Sequence, residues 1–238
     1  MKLRNYLSFG GGVNSVAMYL YMLDEGMDFK AVFVDHGADW PETYEYVEMF
    51  KKLYPLTVLK PDVQGHDNLY EYCWHYEMVP SFMRRWCTSK FKIRVMEKYY
   101  QPPGFVCIGF DAGEAKRAKI GSTAKGMENR FPLIEAEMDR DDCKALIKAH
   151  GLPIPMKSGC YICPFQKVAQ WKELRVKHPD LFCKAQQLEK RNMAYRVRKG
   201  KKPLYINQWP RVPLSGVVNE RQSKLWAEDE FPPCHCRL

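Results

Sequence analysis

A glycine triplet between a short strand and a helix constrains the fold of this chain more than any other feature. Residues 4–9 (RNYLSF) form a β-prone run, three glycines follow, and apolar residues then recur at helical spacing as far as Leu23. Where a strand passes through a tight loop into a helix, backbone N–H groups and the helix dipole converge on an anion. No lysine follows the glycines, so the loop is not of the GxxxxGK[ST] type. We therefore predict a phosphate-binding loop over residues 8–15.

Each residue type in this loop suits contact with a nucleotide. Glycines let a phosphate approach the backbone, Ser15 adds a hydroxyl donor, and Asn14 can cap the helix or hydrogen-bond the ligand. A purely structural turn is the alternative explanation of the glycines. The predicted nucleotide-binding residues of the loop are Ser8, Gly10, Gly11, Gly12, Asn14 and Ser15.

Short apolar runs alternate with helical segments along the first two thirds of the chain, which favours βαβ units. Further strands are predicted at residues 31–34, 56–59 and 105–108, and helices at 41–53, 69–76, 89–100 and 139–150. We predict an α/β fold with a parallel twisted sheet and helices on both faces. Beyond Pro155 two cation-rich helices, about 164–177 and 179–199, precede a tail rich in proline and aromatics. We place a nucleotide-binding domain over 1–152 and a helical C-terminal region over 153–238.

Charged residues near strand ends are the candidates for ligand contact outside the loop. Asp35 ends the second strand, where a carboxylate can accept from a ribose hydroxyl or an adenine amino group, or help hold Mg²⁺. Arg117 follows the strand-end Gly109, and Arg85 lies in a cationic segment before Cys87; both suit phosphate or sulfate groups. A turn-capping aspartate and solvated cationic surfaces are the structural alternatives.

The chain has nine cysteines, and two of them form a Cys-x-x-Cys pair at Cys160 and Cys163. Flanking glycine and proline are typical of a loop that wraps a soft metal or a cluster. Cys87 and the closing Cys234-His235-Cys236 can supply further ligands. Four thiolates suit a [4Fe-4S] cluster and a set with histidine suits zinc, while a redox dithiol is a third alternative. The predicted metal ligands are Cys87, Cys160, Cys163 and Cys236, the last preferred slightly to Cys234.

The charge and hydropathy of the chain limit its partners and location. Lys and Arg total 37 against 28 Asp and Glu, a net charge of +9 that favours nucleotides or nucleic acid. The best nucleic-acid candidate combines cations with aromatics in the C-terminal part: Arg191, Arg196, Arg198, Lys199, Lys201, Lys202, Tyr205 and Trp209. We find no signal peptide and no run of about 20 apolar residues, so we expect no membrane span and a cytoplasmic location.

The loop and several later segments together resemble the PP-loop ATP pyrophosphatases, and within them the phosphoadenosine-phosphosulfate (PAPS) reductase-like family. That family's loop reads roughly Ser-Gly-Gly-x-Asp-Ser; here Gly11, Gly12, Asn14 and Ser15 take matching places, while Gly10 replaces the first Ser and Asn14 the Asp. The other matching segments are Val34–Gly37 with Trp40–Thr43, Arg84–Thr88, Ile108–Gly109 through Glu114 and Arg117, Phe131–Ile134, and Cys160–Pro164. They cover most of residues 5–170.

The resemblance implies an adenine nucleotide alpha hydrolase-like fold, an adenine nucleotide ligand with catalytic Asp35 and Arg117, and a [4Fe-4S] cluster held by Cys87, Cys160 and Cys163. It implies one of two activities: reduction of an adenylyl sulfate, or ATP-dependent replacement of an oxygen by sulfur on tRNA or DNA with a sulfur donor protein. PAPS reductases attack with a Glu-Cys-Gly-x-His cysteine, and this tail reads Pro-Pro-Cys-His-Cys. Local similarity to DNA phosphorothioation sulfur-transfer enzymes favours sulfur transfer. A non-catalytic nucleic-acid-binding or nucleotide-binding module with structural zinc is the alternative, which Asn14 supports.

Overall fold

The strands of the predicted βα units form one parallel sheet. The computed structural model describes residues 3–118, 124–207 and 211–217. Its strands are β1 (Arg4–Phe9), β2 (Phe29–Val34), β3 (Thr57–Leu59), β4 (Gly104–Cys107) and β5 (Met127–Arg130), in the order β3-β2-β1-β4-β5. Every neighbouring pair is parallel. The predicted α/β class is therefore confirmed.

Helices follow most of the strands. They are α1 (Val13–Asp24), α2 (Pro41–Leu53), α3 (Leu69–His75), α4 (Trp86–Thr88), α5 (Arg94–Tyr99), α6 (Pro132–Glu135), α7 (Arg140–Ala149), α8 (Val168–Lys177), α9 (Pro179–Arg198) and α10 (Leu214–Val217). A π-helical segment, Ser89–Ile93, joins α4 to α5, and a 3₁₀-helix covers Ala112–Arg117. The helix predicted over 89–100 is present over 89–99, but helical structure begins three residues earlier, at Trp86, and Ser89–Ile93 is π-helical rather than α-helical. Within the described residues, no helix is both long enough and apolar enough to cross a membrane.

The sheet carries an apolar layer on each face. Leu7 and Phe9 of β1 pack with residues of α1, α2 and α7, whereas Tyr6 belongs to a second cluster with Met96 of α5. Alternate residues of a strand point to opposite faces, so two separate clusters require cover on both sides. The predicted placement of helices on both faces is confirmed.

The strand order reverses between β1 and β4. From β1 the chain proceeds outward through β2 and β3, and it then returns to place β4 on the other side of β1. Leu7 pairs with Cys107, so the carboxyl ends of β1 and β4 lie side by side. In open α/β sheets, ligands bind in the crevice outside such a reversal.

Contacts divide the chain into two compact units. The first comprises the chain up to Pro61 together with Phe91–Gly159, and it contains the sheet. The second comprises Asp62–Lys90 and the chain from Cys160 onward. The units thus divide after Gly159 and assign Asp62–Lys90 to the second unit; the boundary near residue 152 stays a prediction about domains.

The second unit is organised around α8 and α9. Trp171 and Leu174 of α8 and Leu188 of α9 are fully buried. Glu189 of α9 is also buried, and its carboxylate oxygens accept hydrogen bonds from the backbone N–H groups of Ile206 and Leu214 at 2.9 and 2.8 Å. Burial raises the pKa of Glu189. This side chain therefore holds the segment after α9 against the helix.

Candidate functional site

The glycine loop packs tightly on the first turns of α2. Gly11 has a φ of +68°, and a Cβ there would lie 3.1 Å from Thr43 Cγ2 and 3.2 Å from Val47 Cγ2. Only glycine combines that backbone conformation with so little space. The N–H of Val16 bonds the Gly12 carbonyl at 3.0 Å, which closes the first turn of α1. The loop is thus held in a single tight conformation.

Serine hydroxyls lie beside this loop. Ser15 Oγ donates to the Gly12 carbonyl at 2.9 Å. A Cβ on Gly12 would lie 2.7 Å from Ser158 Oγ, and one on Gly10 would lie 4.0 Å from the same atom. Ser158 was not predicted as a site residue, and the signal that could have found it is its position two residues before Cys160. Its hydroxyl is a further candidate for phosphate contact.

The loop after β4 approaches the start of α1 just as closely. A Cβ on Gly109 would lie 3.2 Å from the Asn14 carbonyl oxygen and 3.2 Å from the Ser15 nitrogen. Gly109 is therefore needed for close backbone contact between the two loops at the reversal of strand order. The structure thus brings Gly109 and the glycine loop together.

Asn14 links three charged side chains at this junction. Its amide nitrogen donates to Asp111 Oδ2 at 2.9 Å and to Glu114 Oε2 at 3.1 Å. Its amide oxygen accepts from Arg140 Nη1 at 2.6 Å. Only an amide can donate to two carboxylates and accept from a guanidinium at once. Asn14 thus joins the glycine loop to the loop after β4.

Asn14→Asp is expected to weaken this junction in a pH-dependent way. The introduced carboxylate would face Asp111 and Glu114 with only Arg140 in direct compensation, and like charges raise the pKa of a carboxyl. At pH 8 the free energy of unfolding should fall by on the order of 2 kcal/mol, because the ionised carboxylate cannot donate to Asp111 or Glu114 and is repelled by both. The deficit should shrink towards pH 5, where the protonated carboxyl can donate as the amide does. Urea unfolding across this pH range measures it.

Asn14→Ala is the matched control for that experiment. It removes the hydrogen bonds to Asp111 and Glu114, and also the one from Arg140, without adding a titratable group, so its deficit relative to wild type should stay nearly constant with pH. Equal pH profiles for Asn14→Asp and Asn14→Ala would contradict the electrostatic role of the amide.

Arg117 is held in place by an ion pair and an aromatic ring. Its guanidinium pairs with Glu114 and lies 4.4 Å from the centroid of the Phe110 ring. That ring stacks in turn on Phe131, with centroids 5.8 Å apart. A cation over an aromatic face is attracted by the ring's quadrupole. Glu114 therefore orients Arg117.

Asp35 and Ser8 make internal contacts at the ends of their strands. Asp35 is half-buried, and its Oδ1 accepts from the backbone N–H of Gly37 at 3.0 Å. Ser8 is buried, and its hydroxyl donates to the Met96 sulfur at 3.8 Å, on the α5 face of the sheet. Asp35 thus stabilises the turn after β2, while the side chain of Ser8 lies away from α1.

A buried histidine follows Asp35. His36 Nδ1 accepts from the backbone N–H of Ala38 at 3.3 Å, and Nε2 lies 3.4 Å from Asp39 Oδ2. Burial lowers the pKa of His36 despite the opposing effect of Asp39. A neutral ring with contacts at both nitrogens serves here to hold the turn between β2 and α2.

The segments that carry three of the predicted metal ligands, Cys87, Cys160 and Cys163, contact each other within the second unit. Cys87, Cys160 and Cys163 are each half-buried. The Cys163 N–H bonds the Cys160 carbonyl at 3.0 Å, which makes a tight turn of the Cys-x-x-Cys segment. Two residues before Cys87, the Arg85 guanidinium lies 5.3 Å from the ring centroid of Phe165, two residues after Cys163. This contact connects the Cys87 segment to the Cys160–Cys163 segment.

The remaining cysteines differ in exposure. Burial raises the pKa of Cys107 and of Cys143 to about 12, so both thiols stay protonated at neutral pH. Cys73 is fully buried. Burial raises its pKa most, and the nearby Cys87 raises it further. Cys183 is exposed on α9. The candidate fourth ligands Cys234 and Cys236, with His235, lie outside the described residues.

The arginines of the nucleic-acid candidate surface bond other residues of the second unit. Arg191 donates to the Trp74 carbonyl at 2.9 Å and stacks 4.7 Å from its ring centroid. Arg198 binds both carboxylate oxygens of Glu77 at 2.8 Å. These two arginines therefore hold α9 to the α3 region, while Lys199, Lys201 and Lys202 are exposed. Trp209 lies outside the described residues.

The fold and the loop define a class: an α/β protein with a tight glycine loop at the reversal of its strand order. The phosphoadenosine phosphosulfate reductase domain model matches residues 4–155. The chain belongs to that family, a member of the PP-loop superfamily.

Two curated proteins and a solved structure resemble this chain. Two uncharacterized proteins of Methanocaldococcus jannaschii are each 24% identical, over 77% and 74% of this chain. The chain spans 47% and 39% of their lengths, less than half of each. The crystal structure of PAPS reductase from Candida auris, a phosphate complex, matches this chain with a TM-score of 0.50 at 19% sequence identity. The match covers 63% of this chain and 74% of the reductase chain. That likeness supports the fold.

Proposed function

We propose that this chain is an enzyme that binds ATP or a related adenylate and carries out adenylation-linked sulfur transfer. ATP adenylates an oxygen of the acceptor with release of pyrophosphate, and sulfide then attacks the activated atom and displaces AMP, which carries the oxygen away. The nucleotide lies at Gly10–Ser15, and Mg²⁺ accompanies its phosphates with Asp35 as its candidate ligand. Arg117 contacts the phosphate or sulfate end.

The observation that carries the proposal is the junction between the two loops at the reversal of strand order. The glycine loop supplies backbone N–H groups for phosphate at the start of α1. The neighbouring loop supplies a guanidinium, Arg117, that Glu114 and the Phe110 ring hold in position. Together they provide backbone donors and a cation for the charge that develops at a transferring phosphoryl group.

A [4Fe-4S] cluster is the second part of the proposal. The half-buried Cys87, Cys160 and Cys163 lie in connected segments of the second unit, and three thiolates fit such a cluster. A bound cluster would supply iron for holding sulfide. Cys236 is the candidate fourth ligand, and zinc is the alternative metal. The residues themselves provide thiolates and a partly shielded environment.

Nucleic acid, tRNA or DNA, is the proposed acceptor, with a sulfur donor protein as a further partner. The net charge of +9 and the exposed lysines after α9 support a phosphate-rich partner. Positive charge binds nucleic acid without preference for its base sequence, so we propose the acceptor only as a class, nucleic acid.

Reduction of an adenylyl sulfate is the second candidate, because the matched family model is that of the PAPS reductase domain. The tail Pro-Pro-Cys-His-Cys, which lacks the Glu-Cys-Gly-x-His pattern, favours sulfur transfer instead.

Two anaerobic assays separate the candidates: one for sulfur transfer and one for reduction of adenylyl sulfate. The protein is incubated with radiolabelled ATP, sulfide and either tRNA or DNA, and AMP release and sulfur incorporation are measured. ATP-dependent incorporation is the expected result. Sulfite released from adenylyl sulfate and a thiol reductant would select the reductase. Binding of nucleic acid with neither reaction would contradict both enzymatic candidates and favour the binding module.

Arg117→Lys is expected to weaken ATP binding or turnover by about tenfold or more, because lysine keeps the charge but loses the planar two-donor fork. Calorimetric titration with ATP and Mg²⁺ measures the affinity. Lys116→Arg, at the neighbouring position of the same 3₁₀-helix, is the control and should bind as wild type does. An Arg117→Lys variant with unchanged affinity and turnover would assign Arg117 to the surface.

A further inference from the structure

Arg85 has an unusual backbone conformation for a residue with a side chain. Its φ and ψ are 46° and 30°, in the left-handed region that favours glycine. Its N–H bonds the Ser81 carbonyl at 3.0 Å, and its carbonyl accepts from the Ser89 N–H at 3.2 Å. These bonds fix the residue on both sides. Strained backbone of this kind persists where the surrounding structure requires one side-chain position.

The side chain of Arg85 is held by an aromatic pair. Its guanidinium lies 5.3 Å from the Phe165 ring centroid, and that ring packs on Phe82 with centroids 4.9 Å apart. The ring face attracts the cation and restricts the plane of the guanidinium. The arginine is therefore positioned before any ligand arrives.

The donors of this arginine point to a ligand. Nε and Nη2 are buried, and neither makes a hydrogen bond within the part of the chain that the structure describes. These two N–H groups share one edge of the guanidinium, the edge that binds two oxygens of one anionic group. Buried polar groups are normally paired, and an unpaired guanidinium edge is among the least favourable exceptions. Because Arg85 as a residue is only half-buried, an ion can reach it without crossing a core.

We propose that the Nε–Nη2 edge of Arg85 binds a tetrahedral oxyanion of the sulfate or phosphate type. The neighbouring cations do not share this geometry: Arg84 is exposed, and Lys90 donates to the Tyr72 hydroxyl at 2.7 Å. Sulfate, inorganic phosphate and the terminal group of an adenylate present the same pair of oxygens. The site is part of the second unit and does not depend on ATP binding at the glycine loop.

Anion titration tests this site. Wild type, Arg85→Lys and Arg84→Lys are titrated with sodium sulfate or inorganic phosphate by calorimetry, at constant ionic strength set with chloride. We expect wild type and Arg84→Lys to bind within twofold of each other, and Arg85→Lys to bind at least about tenfold more weakly because it lacks the fork. Equal binding by Arg85→Lys, or no binding by wild type, would overturn the proposal.

Three further measurements fix the source of the anion and guard against misfolding. Gly11→Val should keep its response to sulfate while losing ATP, so failure of the nucleotide proposal leaves this one testable; loss of the sulfate response would place the anion at the glycine loop and overturn the proposal. A crystal of wild type soaked in selenate should show anomalous selenium density at the Arg85 fork. Selenium density only at other positions would overturn the proposal, even if Arg85→Lys does not fold.

Titration of AMP into Gly11→Val tests the source of the anion. AMP should bind at Arg85 if the anion is the phosphate of a nucleotide; sulfate binding without AMP binding identifies a free oxyanion.

Discussion

Gly11→Val should reduce the affinity for ATP by more than about 100-fold, which corresponds to about 2.7 kcal/mol of binding free energy. The variant places a β-branched side chain at a φ of +68° and 3.1 Å from Thr43 Cγ2. Relief of that contact requires the loop to move away from α2, and the backbone N–H groups that face the phosphates then lose their arrangement. Calorimetric titration with ATP and Mg²⁺ measures the affinity.

Gly26→Val is the matched control for this prediction. Gly26 has a φ of +65°, nearly that of Gly11, but a Cβ there meets no atom within 4 Å. The control should therefore lose about 1–2 kcal/mol of unfolding free energy from the backbone alone and retain ATP affinity. Equal ATP affinities for Gly11→Val and wild type would remove the loop from nucleotide binding. If Gly26→Val lost as much ATP affinity as Gly11→Val, backbone strain rather than the geometry of the glycine loop would explain the lower affinity.

Replacement of Cys87, Cys160 or Cys163 by alanine should remove the iron-sulfur cluster from anaerobically purified protein. Three thiolates are the minimum expected to retain a [4Fe-4S] cluster with an open or exchangeable fourth position, so each loss leaves too few ligands. Iron and labile sulfide should fall from about four per chain to a small fraction of that value. The visible absorption of the cluster and its low-temperature EPR signal after reduction should disappear together with the iron and sulfide.

Cys183→Ala is the matched control for the cluster. Cys183 is an exposed cysteine of the same unit, on α9, and its removal should leave the iron content unchanged. Cys234→Ala and Cys236→Ala, measured beside it, decide between the two candidate fourth ligands. Stoichiometric zinc without iron or sulfide in wild type would contradict the cluster and favour the binding module.

Local sequence patterns were sufficient for the elements nearest the loop. The β-prone run at 4–9 became β1, and the helix predicted over 41–53 became α2 with the same bounds. In both, the propensities and the apolar spacing agree with the position in the fold. By contrast β5, Met127–Arg130, reads MENR and was missed, because its pairing with β4 rather than its own hydropathy makes it a strand.

The sequence by itself determined the glycine-rich turn between the first strand and helix and the alternation of strands and helices, because these depend on neighbours in the chain. The tertiary structure alone decided what contacts that turn. Ser158 lies beside Gly12, and the Asn14 amide joins Asp111 to Arg140, across sequence separations that no local pattern reports. Such contacts follow from the strand order, and the strand order results from the packing of the whole sheet.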